Sequence, residues 1–124
     1  MANNIMNNDI KIKTCVEQSY DKNITNKILH DVTQFLSNDA ISLMMDENYR
    51  MDYITNVFEN YLESEFGGKI RNYDVICDRR NNPSSQVTNQ LNLDIKFKLK
   101  NSLIYTTIYF TITTEKDLSE ESFY

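Results

Sequence analysis

Apolar residues recur along this chain with two periods, and the change from one to the other divides it in half. Before Gly67 the spacing is helical. Ile24, Ile28, Leu29, Val32, Phe35 and Leu36 follow one another at steps of one, three and four, which gathers them on one stripe of a helix. Asn23 stands where an N-cap would take up free amide hydrogens. The pattern weakens over Ser37 to Asp39, and Ile41, Leu43 and Met44 either continue it or open a short extended piece. A second stripe follows Asn48: Met51, Ile54, Val57, Phe58, Tyr61, Leu62 and Phe66. Gly67-Gly68 is expected to stop this helix, because glycine takes the left-handed conformation common just past a helix end.

After Gly68 the period falls to two. Tyr73, Val75 and Cys77 share one face of a predicted strand, with Ile70 and Ile76 on the other, and the polar run from Asp78 to Ser85 ends it. Leu91, Leu93, Ile95, Phe97 and Leu99 alternate with Asn92, Asp94, Lys96, Lys98 and Lys100, the pattern of a half-buried antiparallel strand. Lys100-Asn101-Ser102 turns the chain. Leu103 to Thr113 then reads as a strand with Ile104, Ile108, Phe110 and Ile112 on one face and Tyr105, Tyr109 and threonines on the other. At the other end of the chain, Asp9 to Val16 alternates with Ile10, Ile12 and Cys15 or Val16 at apolar positions. These elements predict an α+β fold: an antiparallel sheet of three to four strands with two helices packed on one face. Residues 1–8 are expected as a flexible N-terminus, 9–114 as a single domain and 115–124 as an acidic tail.

The chain has 124 residues and a net charge of −5, from 13 basic and 18 acidic side chains, which argues against a nucleic-acid binder with its usual basic face. No apolar run approaches the roughly 20 residues needed to span a bilayer, and the first ten residues lack the basic-then-apolar order of a signal peptide. The expectation is a soluble protein made in a cytoplasm, with no membrane partner.

Candidate chemistry is thin. His30 lies largely opposite the first apolar stripe, as a surface residue would. Cys77 and His30 could form a nucleophile–base pair, but Cys77 sits on the inward strand face, where a thiol is packing. Two cysteines, Cys15 and Cys77, with one histidine cannot build a structural zinc site. Asp74, Asp78 and Asp94 read as solvated charges on a strand or loop mouth, and Gly67-Gly68 is followed by no phosphate-loop lysine. Lys96, Lys98 and Lys100 form a local basic row, either an exposed strand face or an interface for an acidic partner segment. The expectation is a non-enzymatic binding or assembly domain with no cofactor, metal or small-molecule substrate.

The run Tyr73 to Pro83, YDVICDRRNNP, resembles the C-terminal inner domain of contractile phage tail sheath proteins. In that family a strand ending in Cys-Asp is followed by an Asn-Asn loop and two further strands. Here the similar parts are Val75-Ile76-Cys77-Asp78, Asn81-Asn82-Pro83, Gln90 to Lys98 and Tyr105 to Thr113, preceded by the helix Tyr53 to Phe66. The likeness extends over residues 25–114 and is strongest from 50 onwards. A whole sheath protein is several times longer, and Lys98-Leu99-Lys100-Asn101 replaces the family's proline-containing segment.

The resemblance implies a virion protein that assembles with copies of itself, six-fold, into a ring or tube, beside other tail, neck or baseplate proteins. It also implies a means: sheath inner domains donate terminal strands to the sheets of their neighbours, which is β-augmentation. Ile10 and Ile12 on the N-terminal strand, Lys96, Lys98 and Lys100, and Phe123 and Tyr124 in the tail are the candidate subunit-interaction residues. A neck, tail-terminator or baseplate ring component is the alternative within that class. A monomeric phage-encoded binding module or chaperone is the alternative outside it.

Overall fold

The computed structural model describes residues 10–38, 47–83 and 90–114. The expected flexible N-terminus, the segment holding Ile41, Leu43 and Met44, and the acidic tail with Phe123 and Tyr124 lie outside the described residues. Six elements follow in the order β1 (Ile10–Glu17), α1 (Lys22–Asn38), α2 (Glu47–Phe66), β2 (Ile70–Ile76), β3 (Gln90–Leu99) and β4 (Thr106–Thr114). The four strands form one antiparallel sheet in the order β1-β4-β3-β2, and the two helices share one core with its inner face. The fold is α+β, as the change of period predicts.

The core is built where the apolar periods meet. Ile28, Val32 and Leu36 of α1 and Ile54, Phe58 and Leu62 of α2 are buried against Leu91, Leu93, Ile95 and Phe97 of β3 and Ile108, Phe110 and Ile112 of β4. Burying each such side chain contributes about 1.5–3 kcal/mol. The helices meet through aromatic rings, with Phe35 edge-on to Phe58 at 5.3 Å between centroids and tilted against Tyr53 at 6.4 Å. Tyr61 also donates its hydroxyl to Asp31 Oδ2 at 2.6 Å, and Lys27 binds the same oxygen at 2.9 Å. One polar lock therefore ties α1 to α2 beside the apolar one.

Four local details depart from the sequence expectations. Asp21, not Asn23, caps α1: its Oδ1 accepts the Ile24 amide at 3.1 Å, and its carbonyl accepts the Thr25 amide at 3.0 Å. Gly67 and Gly68 end α2 without a left-handed residue. Gly67 is required instead by close approach, since a Cβ there would lie 2.6 Å from the Glu63 carbonyl oxygen. Ile70 belongs to the core face with Val75, because the register shifts between Ile70 and Asn72 and moves Ile70 across the pleat. Ile104 is not a core residue of β4. The Ser102 hydroxyl accepts the Ile104 amide and donates to the Ile104 carbonyl, both at 3.1 Å, and this turn delays the strand to Thr106.

Thr106 takes the inward position that Ile104 was expected to begin. It is buried, and its hydroxyl donates to the Gln18 carbonyl at 2.6 Å. Gln18 has a φ of 60°, the left-handed region that side chains other than glycine seldom occupy. The Thr106 hydroxyl thus holds the bend by which the chain leaves β1 and turns back toward α1.

Candidate functional site

The candidate interaction residues fall on three parts of the sheet. Ile10 and Ile12 are half-buried on the inner side of β1 and pack against the core. β1 is seated on the chain's own β4 in register from Ile10 opposite Thr114 to Glu17 opposite Thr107. Its other edge has no strand beside it among the described residues, and neither has the outer edge of β2. Among the described residues the sheet therefore ends in two lines of backbone groups with no strand beside them, the kind of edge to which a further strand can add.

Lys96 and Lys98 lie on the face of the sheet away from the helices. Both ammonium groups stand over the Tyr105 ring, at 4.9 and 5.0 Å from its centroid, within cation–π range. Asp74 on β2 is the cross-strand neighbour of Lys96. Lys100 leaves this row: it is exposed in the turn after β3, where its amide donates to the Lys69 carbonyl at 3.2 Å. The lysines are thus two residues braced on an aromatic ring and a third at the end of the sheet. Phe123 and Tyr124 lie outside the described residues.

The Asp78 to Asn82 segment carries a dense cluster of polar contacts among the described residues. Asn82 is buried; its Nδ2 donates to the Asn92 carbonyl and its Oδ1 accepts the Asn92 amide, both at 2.8 Å. The side-chain amide thereby imitates a paired strand residue and extends the ladder beyond β2. Asn81 Nδ2 donates to the Ile76 carbonyl at 2.7 Å, and Asn92 Nδ2 donates to the Asn81 carbonyl at 2.9 Å. Asp78 receives the Arg80 amide at 2.9 Å and the Arg80 guanidinium at 2.8 Å, which together hold its carboxyl below the usual range. Asp94, half-buried nearby, is shifted upward by loss of solvent. The motif that carries the sheath resemblance is therefore a clamp fastening the β2–β3 connection to the first residues of β3.

Cys77 is 1% exposed, and burial pushes its thiol up to about 12. It stays protonated at neutral pH and packs in the core, while His30 is exposed on α1. Among the described residues no group of three or more histidine, cysteine or acidic side chains is placed to hold a metal ion. No described helix is long and apolar enough to cross a membrane.

One feature escaped the sequence pattern. At the end of the sheet where β1 and β3 finish and β2 and β4 begin, a groove of about 760 Å³ opens between Tyr20, Gly68, Lys69, Lys100, Leu103 and Ile104. Tyr20, Leu103 and Ile104 are 54%, 84% and 50% exposed, the large apolar side chains most open to solvent among the described residues. They come from two loops some eighty positions apart, so no local period could unite them. The only local signal was a serine followed by two bulky aliphatic residues directly after a turn.

Comparison with protein families, with curated proteins and with solved structures finds no match to this chain.

Proposed function

We propose that this chain is a non-enzymatic structural protein of a phage virion, a tail sheath-like subunit that joins copies of itself into a ring or tube. The observation that carries the reading is the one-sided sheet. Helices cover one face only, and β1 and β2 leave both edges without a neighbouring strand among the described residues. An unpaired edge can accept an extended segment from another subunit, so that backbone hydrogen bonds run from one copy to the next. The Asn81–Asn82 clamp supports the same reading. It gives a structural reason for the residues behind the sheath resemblance, since it stiffens the end of the β2 edge. Six-fold association with itself, contact with other tail, neck or baseplate proteins, and a place in the virion belong to this proposal.

The test is the copy number of the protein in purified particles, measured by quantitative mass spectrometry. Tens to hundreds of copies are expected of a tube, and about six or twelve of a neck, terminator or baseplate ring. A protein absent from particles would overturn the structural reading in favour of a monomeric phage-encoded binding module.

A further inference from the structure

The groove at the end of the sheet has the composition of a docking site. Its exposed apolar side chains, Tyr20, Leu103 and Ile104, lie beside two lysines, Lys69 and Lys100, and beside Asp21, whose carboxylate is engaged by the Ile24 amide at the start of α1. Among the described residues neither lysine has a carboxylate partner. Solvated apolar groups gathered at one point of a small protein mark an interaction surface. The flanking cations favour an occupant that is both acidic and apolar. Residues 118–124 of this chain have that composition: Leu118, Glu120, Glu121, Phe123 and Tyr124 place two acids between an aliphatic residue and two aromatic rings.

Reach decides which copy supplies them. The groove adjoins the start of β4, whereas the chain beyond Thr114 leaves from that strand's far end. The nine residues of β4 separate the two points by about 27 Å at the usual strand rise. Phe123 lies nine positions past Thr114, a span of about 30 Å at full extension. A chain's own rings could only touch its own groove with every residue taut. A neighbour's rings meet no such limit.

We propose that the groove formed by Tyr20, Leu103 and Ile104 between Lys69 and Lys100 receives residues 118–124 of a second copy of the chain, Phe123 and Tyr124 as apolar anchors and Glu120 and Glu121 against the lysines. Tail and groove are different patches, so the contact is head-to-tail and generates a ring or an open tube. The inference rests on the assembly reading above and adds a side-chain contact distinct from strand addition at a sheet edge.

Sedimentation velocity on the full-length chain tests it. Wild type is expected to associate as concentration rises. Leu103→Ser with Ile104→Ser, and separately Phe123→Ser with Tyr124→Ser, should each weaken association about tenfold or more while far-UV circular dichroism is unchanged. A Lys69→Glu, Lys100→Glu chain and a Glu120→Lys, Glu121→Lys chain should each associate poorly alone and recover when mixed. Variants that associate as wild type does, a mixture that fails to recover, or a wild type that stays monomeric would each overturn the docking. Copy number in particles is measured independently, so a virion component with an idle groove is told apart from a protein that is no virion component.

Discussion

Asp31 and Tyr61 show how a single contact between helices acquires a pH dependence. The Tyr61 hydroxyl donates to Asp31 Oδ2 at 2.6 Å and is the leading cause that holds this carboxyl below its usual range, with Lys27 adding to it. Tyr61 is shifted the other way, first by burial and then by the carboxylate it binds. A depressed carboxyl contributes stability above its unfolded pKa and loses it as pH falls through the folded value. A raised phenol contributes below its unfolded pKa and loses it as pH rises through the folded value. The contact is therefore complete between the ordinary carboxylate and phenol values. Tyr61→Phe should lower stability by about 1 kcal/mol from roughly pH 5 to 9, and the gap should narrow on either side. Chemical denaturation of both proteins across that range checks it; a gap that does not vary with pH would mean that the hydroxyl–carboxylate contact contributes nothing.

At the scale of elements, legibility followed burial. β3 could be read residue by residue because one of its faces is buried and the other is not, and both stripes of the helices emerged for the same reason. Alternation alone puts Ile70 of β2 on the wrong face because a register shift breaks the strict period, and nothing in Ile70-Arg71-Asn72 marks where the extra residue falls. Ile104 falls outside β4 because the Ser102 hydroxyl competes for its amide, a local bond that periodicity does not register. The polar loop was recognised as a loop, but its function as a ladder extension needed Asn92, ten positions beyond Asn82. Ile10 and Ile12 were legible as strand residues. Which sheet they join was not, since an N-terminal strand can pair within its own chain or with another, and here it lies on β4. An intramolecular β1 has a measurable consequence. Amide exchange along β1 and along the β1-facing edge of β4 should be equally slow in dilute and concentrated solutions of the isolated protein. Protection that vanishes on dilution would mean that the strand beside β4 comes from a second copy.

Across the whole molecule, one core joins every element. The buried residues of α1, α2 and all three strands β2, β3 and β4 form a single cluster, against which Ile10, Ile12 and Val16 of β1 pack. Such a domain has no subunit of structure able to persist alone, so it should unfold in one cooperative step. Phe110 is the sharpest probe of this, because it is fully buried on β4, the strand between β1 and β3. Phe110→Ala removes a ring that the surrounding side chains can only partly replace, at a cost of about 3–5 kcal/mol. Domains of this kind hold about 5–15 kcal/mol in all, so the variant should melt far below wild type or be unfolded at room temperature. Secondary structure by far-UV circular dichroism and tyrosine packing by near-UV signal should be lost together in wild type and variant alike. Two separated transitions would mean that the helical layer and the sheet hold independent cores. A variant with wild-type stability would place Phe110 on the solvent face and exchange the two faces of β4. With the inner face committed to folding in this way, the outer face, the strand edges and the end groove are what the described elements leave uncovered, so the proposed subunit contacts can be altered there without disturbing the core.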